Sequence, residues 1–242
     1  MFCPKCGEKN KEGAKFCNKC GESFEKSTTA SAKKVSIDTK ELTNNIVDLI
    51  KGLIVKPIDT FKKYGEEKNF TLSIILVAVL SLTTGLFVIS LMKNAYSLIV
   101  GSFGSLGGLY NYSSYNIDIP YAKSFFLALF ATFIFAFAFV GILYLVNTKI
   151  FKGKESFKKT FAIYGTISVA ASITLLVSTI LMFISFSLAS IILSLGLTLT
   201  GFYTYHMIKM VGPKDENKHG YIYVVSTGLF FLFVFVVIKI FC

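Results

Sequence analysis

Five long apolar runs separated by short polar stretches set the pattern of this chain. Residues 70–92, 124–146, 161–184, 186–207 and 221–241 are each long enough, at about 1.5 Å per helical residue, to cross a hydrocarbon core of about 30 Å. The pattern therefore predicts five spans, and so few polar residues part the third from the fourth that these two must form a tight hairpin. Before residue 70 the pattern is different. Leu42, Ile46, Leu49, Ile50, Leu53 and Ile54 recur along one helical face, opposite Lys40, Glu41, Asn44, Asp48 and Lys51. Asp38 and Glu41 form a capping box, and Lys56 before Pro57 marks the stop. An amphipathic helix is predicted here, lying either in the headgroup plane or against the protein's own cytoplasmic face. Pro57 then opens a short second helix that runs to Tyr64.

The placement of lysine orients these spans. The polar stretch 147–159 carries Lys149, Lys152, Lys154, Lys158 and Lys159 against the single acid Glu155. Lys and Arg near span ends resist translocation, so this loop belongs on the cytoplasmic side. Residues 1–69 hold 14 lysines and residues 208–220 hold three, whereas the other side has only Lys93, Lys123 and Lys239. The expected topology is a multi-pass protein of the cell (plasma) membrane, N-terminus cytoplasmic and C-terminus extracytoplasmic. Tyr64, Tyr96, Tyr121, Tyr144, Tyr164, Tyr203, Tyr205, Tyr221 and Tyr223 near the span ends supply an interfacial belt. The longest loop, 93–123, lies outside and is either re-entrant or free, since Gly101, Gly104, Gly107 and Gly108 argue against a rigid helix. It contains an Asn111-Tyr112-Ser113 sequon, meaningful only in a eukaryotic secretory setting.

Composition agrees with the class. With 53% hydrophobic residues and a mean hydropathy of +0.63, the chain is too apolar for an ordinary soluble domain. The net charge of +11 reflects lysine gathered in loops rather than a nucleic-acid footprint. There is no Arg, Trp or Gln, a bias that suits an AT-rich bacterial genome. The opening MFCPKCGEKN lacks the basic and early apolar regions of a signal peptide.

Four of the five cysteines crowd into the first twenty residues as Cys3-Pro4-Lys5-Cys6-Gly7 and Cys17-Asn18-Lys19-Cys20-Gly21, with Cys242 alone at the far end and opposite them across the membrane. Two residues between cysteines let both thiolates of a knuckle face one ion, and two knuckles close a tetrahedral shell, the arrangement of structural Zn2+. Redox CxxC pairs sit beside a βαβ pattern, which is missing, and a disulfide framework needs an oxidising compartment. Nucleic acid is disfavoured, because Glu8, Glu12, Glu22 and Glu25 intersperse the lysines and four thiolates leave the zinc site negative. The knuckles resemble the minimal zinc ribbons at the N-terminus of many bacterial membrane proteins. Residues 1–26 are thus read as a ribbon, 27–37 as a flexible linker, 38–69 as juxtamembrane helices and 70–242 as the membrane domain.

Within the spans, Ala128, Thr132 and Ala136, then Ala170, Thr174 and Ser178, then Ser190, Ser194 and Thr198 form ladders of small residues that let helices approach closely. Phe126, Phe130, Phe133 and Phe137 line another face of the second span. No ionisable residue lies at mid-span, where transport and proton paths keep theirs. There is also no HExxH, P-loop, GxSxG or paired carboxylate motif, so the chain is not expected to be an enzyme.

Asp59-Thr60-Phe61-Lys62-Lys63 and Glu155-Ser156-Phe157-Lys158-Lys159 share one pattern, which reads as the same cap, aromatic anchor and cationic end before two outward-going spans. The order of helix, Pro57, Phe61 and basic stretch, together with the series Gly153, Phe157, Phe161, Tyr164-Gly165, resembles the Yip family of five-span membrane proteins over residues 49–241. Where relatives place a proline early in the third span, this chain has Thr166-Ile167-Ser168. The resemblance implies an all-α polytopic membrane protein of five transmembrane helices. The leading expectation for function is a non-enzymatic adaptor in the lipid bilayer whose zinc ribbon engages an unknown cytoplasmic protein, with homo-oligomers open. A small-solute or lipid transporter or channel is the alternative, followed by a membrane-tethered nucleic-acid-binding regulator.

Overall fold

In the computed structural model the chain divides into two units, residues 1–44 and 45–242, and residues 2–3, 5–11, 14, 16–21, 39–106 and 119–241 are described. The linker 27–37, the Asp38 cap, the 111–113 sequon and Cys242 lie outside those residues. Among the described residues there is no β-strand, and Phe2 and Lys9 form an isolated antiparallel bridge.

Among the described residues seven α-helices follow in order: α1 Thr39–Val55, α2 Pro57–Tyr64, α3 Phe70–Leu106, α4 Tyr121–Leu145, α5 Phe157–Met182, α6 Phe186–Val211 and α7 Asn217–Phe241. Helices α3 to α7 are each long and apolar enough to cross a membrane, which bears out the five spans. Several helices outrun their apolar runs at one end. Thus α3 continues through Gly101 and Gly104 into the stretch expected to be a non-helical loop. A helix already propagating gains a hydrogen bond with each further residue, and two glycines cost only about 1 kcal/mol each against that. The loop 147–159 is also shorter than expected. A π-turn, Val146–Ile150, prolongs α4, and α5 begins at Phe157 because Ser156 caps it, accepting the Lys159 amide at 3.2 Å. The matching hydroxyl of the first approach, Thr60, instead lies inside α2 and donates to the Lys56 carbonyl. The α5–α6 connection is the tight hairpin expected, with Ser185 as the N-cap of α6.

The principal core joins α1 and α2 to the bundle. Leu49, Leu53, Phe61 and Tyr64 pack with Ile163, Ile167, Tyr203, Met207, Ile208 and Ile222, and the Phe61 and Tyr203 rings meet edge to face at 5.0 Å. Two glycines allow close crossings between spans. A Cβ on Gly165 would lie 2.4 Å from the Ser73 Cβ, where α3 crosses α5 and the Ser73 hydroxyl donates to the Ala162 carbonyl at 3.1 Å. A Cβ on Gly196 would lie 1.9 Å from Thr174 Cγ2. That contact corrects the expectation for the fourth span. Its packing side carries Ala189, Gly196 and Tyr203, whereas Ser194 and Thr198 of the proposed ladder are exposed, each bonded to the carbonyl four residues back. The phenylalanine face of α4 divides likewise: Phe133 and Phe137 pack around Phe161, while Phe126 and Phe130 point outward.

At the lysine-rich end a polar clasp closes the bundle. The fully buried Asn147 donates from Nδ2 to the Val211 carbonyl at 2.9 Å, capping the end of α6, and its backbone carbonyl accepts the Gly153 amide at 2.9 Å. His219 of α7 meets the Pro213 carbonyl through Nε2 at 2.8 Å. Asn147→Leu should strand the Val211 carbonyl in an apolar setting and cost about 1–3 kcal/mol. Thermal unfolding in mild detergent measures this, and an unchanged midpoint would show that the clasp does not hold α4 to α6.

Candidate metal centre

The N-terminal unit is built from two turns of the same design. In each, the glycine after the second cysteine takes a left-handed conformation, φ +73° at Gly7 and +70° at Gly21, which L side chains rarely adopt. Their amides donate to the carbonyls of Cys3 and Cys17 at 2.9 Å, folding each knuckle back on itself so that the two thiols of a pair come together. The Cys3 amide donates to the Glu8 carbonyl, also at 2.9 Å, and the Phe2–Lys9 bridge lies beside it.

All four sulfurs, of Cys3, Cys6, Cys17 and Cys20, lie within 4.8 Å of one another. Cys3 and Cys20 stand 3.6 Å apart, as do Cys6 and Cys17. Thiolates held about 2.3 Å from one ion at tetrahedral corners stand about 3.8 Å apart, so the donor set fits a single ion bound by all four. Cys3 and Cys17 are buried, while Cys6 and Cys20 face solvent.

Asn10 organises the centre and was not singled out by the cysteine spacing. It is buried, donates from Nδ2 to the Glu8 carbonyl at 2.9 Å and to Cys17 Sγ at 3.4 Å, and accepts the Asn18 amide on Oδ1 at 2.8 Å. One side chain thus ties the first knuckle to the second. Its only trace in the sequence is a small amide residue shortly after the first knuckle, which no ligand pattern selects. A Lys19–Glu8 pair at 2.8 Å also bridges the knuckles, but it is exposed and adds little.

Without an ion the thiols of Cys6 and Cys17 are pushed in opposite directions. The backbone amides of Lys19 and Cys20 hold Cys17 down to about 6. At Cys6 the Glu8 amide favours the thiolate, yet Cys20, burial, Cys17 and Cys3 together push the thiol up to about 12. A cation relieves this crowding, and its binding releases protons.

The molecule is therefore a multi-pass helical membrane protein carrying a tetrathiolate metal ribbon. A Yip1 domain matches residues 51–238 and a zinc-ribbon domain matches residues 2–24, so the chain belongs to the Yip1 domain family. No curated protein and no solved structure shows a significant match.

Proposed function

We propose that this protein is a non-enzymatic integral membrane adaptor in which the helical bundle holds position in the cell membrane and the ribbon, on the cytoplasmic side, engages a protein partner. The observation that carries the reading is the exposure of two aromatic rings on so small a unit. Phe2 is 68% exposed and Phe16 57%, each directly before the first cysteine of its knuckle. Exposed aromatic rings on a rigid platform are the usual anchors of protein interfaces. Zn2+ is the ion proposed, since four soft thiolates in tetrahedral array suit zinc or iron, and zinc adds no redox chemistry to a docking unit. Four protein ligands leave a tetrahedral ion no open position for a substrate, which supports binding over catalysis. The lysine distribution supports the orientation.

Affinity capture from membranes tests the proposal with wild type, a form lacking residues 1–26, and Phe2→Ser/Phe16→Ser with its metal content verified. A cytoplasmic protein captured by wild type and lost from both variants is the expected result. An unchanged partner set overturns the adaptor reading, and a partner from the opposite side overturns the orientation. Gradient-driven solute accumulation by the pure protein in liposomes would put the transporter reading in its place.

A further inference from the structure

We propose that the elbow between α1 and α2 is a wedge inserted into the lipid leaflet at the lysine-rich end of the bundle, with the glycerol and first acyl carbons as its surroundings. The inference rests on the five long apolar helices being membrane spans. One side of the α1–α2 pair is buried in the principal core through Leu49, Leu53, Phe61 and Tyr64. The tip that remains is apolar: Ile54 is 77% exposed, Val55 73% and Ile58 42%. In water such a tip has no favourable environment, and its position along the bundle shows what surrounds it.

Depth can be read from the residues that the elbow touches. On α6 the charge nearest the membrane centre is Lys209, and Tyr203 lies about 9 Å further in at 1.5 Å per residue. The Tyr203 ring packs on Phe61, and its hydroxyl comes within 3.5 Å of the Leu53 carbonyl, next to the tip. Helical side chains lean towards the N-terminus of their helix, here away from the charged end, which carries that hydroxyl deeper still. On α5 the last charge is Lys159, and the core partners Ile163 and Ile167 lie about 6 and 12 Å beyond it. The tip therefore sits inside the charged rim of the bundle. At the same level α6 exposes Leu199 and Phe202, 41% and 55% accessible, so the tip continues a lipid-facing surface of a span.

The pair is braced rather than hinged. A Cβ on Gly52 would meet the Thr60 hydroxyl at 2.3 Å, so the two helices touch at the elbow, and Asp48 accepts hydrogen bonds from Lys63 and Tyr64 across their open end. Charge sets the limit of penetration. Lys51, Lys56, Asp59 and Lys62 are exposed around the tip. Lysine stems can lie along acyl carbons with their ammonium groups among headgroup phosphates, but Asp59 in the first turn of α2 stops the wedge short of the bilayer centre.

The chain has no tryptophan, so a single introduced indole reports its surroundings unambiguously. Ile54→Trp and Val55→Trp in the full chain, reconstituted in phosphatidylcholine vesicles, should emit at blue-shifted wavelengths. They should be quenched about twofold or more by lipids brominated near the glycerol, less by lipids brominated near the chain ends, and little by aqueous iodide. Lys154→Trp in the polar loop is the aqueous reference and Phe202→Trp the lipid-facing one. Iodide quenching of the elbow matching that of Lys154→Trp would overturn the wedge. Shielding from both quenchers would overturn it as well, by showing that protein covers the tip. A failure of Phe202→Trp to meet lipid would instead remove the spanning bundle, and the wedge with it.

Discussion

Gly165→Val should prevent the native assembly of the bundle. A Cβ at this position lies 2.4 Å from the Cβ and 2.6 Å from the Cα of Ser73. The second of these is backbone, so no rotamer change relieves the overlap and α3 must move away from α5. That movement would also break the Ser73 to Ala162 hydrogen bond and open the layer formed by Ile163 and Ile167. Overpacking of this kind costs about 3 kcal/mol or more when the backbone has to shift. Gly165→Ala should act in the same direction with a smaller effect. Gly141→Ala is the control, because a Cβ there meets nothing within 4 Å and a helical glycine replaced by alanine gains up to about 1 kcal/mol. Thermal unfolding and monodispersity in mild detergent measure all three. A Gly165→Val protein as stable as wild type would mean that α3 and α5 do not cross at this residue.

Cys6→Ser should abolish metal binding and leave the bundle folded. The pure wild-type protein should carry about one zinc per chain, with a binding free energy on the order of 10 kcal/mol that is also the folding free energy of a unit this small. Serine removes one of four thiolates and, with it, the closed shell. Elemental analysis should find the ion missing, while thermal unfolding of the spans stays unchanged, as expected if residues 1–44 form a unit of their own. The pH dependence has a definite sign. The Cys6 thiol, pushed up to about 12 without an ion, must lose its proton for the ion to bind, so protons compete with the metal and affinity falls as the solution is acidified. Iron instead of zinc in the purified protein would overturn the choice of ion, and tight binding by Cys6→Ser would overturn the four-thiolate site.

The Asn10 side chain makes clear why part of this site was not legible in the cysteine spacing. Ligand spacing is a local signal, and two cysteines with two residues between them and a glycine behind announce a metal knuckle from five letters. The residue that joins the two knuckles has no comparable signature, because Asn10 acts through one carbonyl, one amide and one sulfur that only the closed fold brings around it.

The same division runs through the membrane domain. Sequence alone determined that there are five spans, that the third and fourth form a hairpin, that an amphipathic helix precedes them and where the four thiolates stand, since each of these follows from run length, period or spacing. Helix faces and partners were a different matter. The spans are apolar all round, so no period distinguishes the side that packs from the side that meets lipid. In α6 the spacing of Ser190, Ser194 and Thr198 predicts the close-packing ladder, yet Thr174 of α5 approaches at Gly196 instead. Whether Asn147 is a loop residue or a buried cap depended on a carbonyl of α6 far along the chain. Packing is decided by how closely two backbones can come together, a property of pairs of helices that no single stretch of sequence carries.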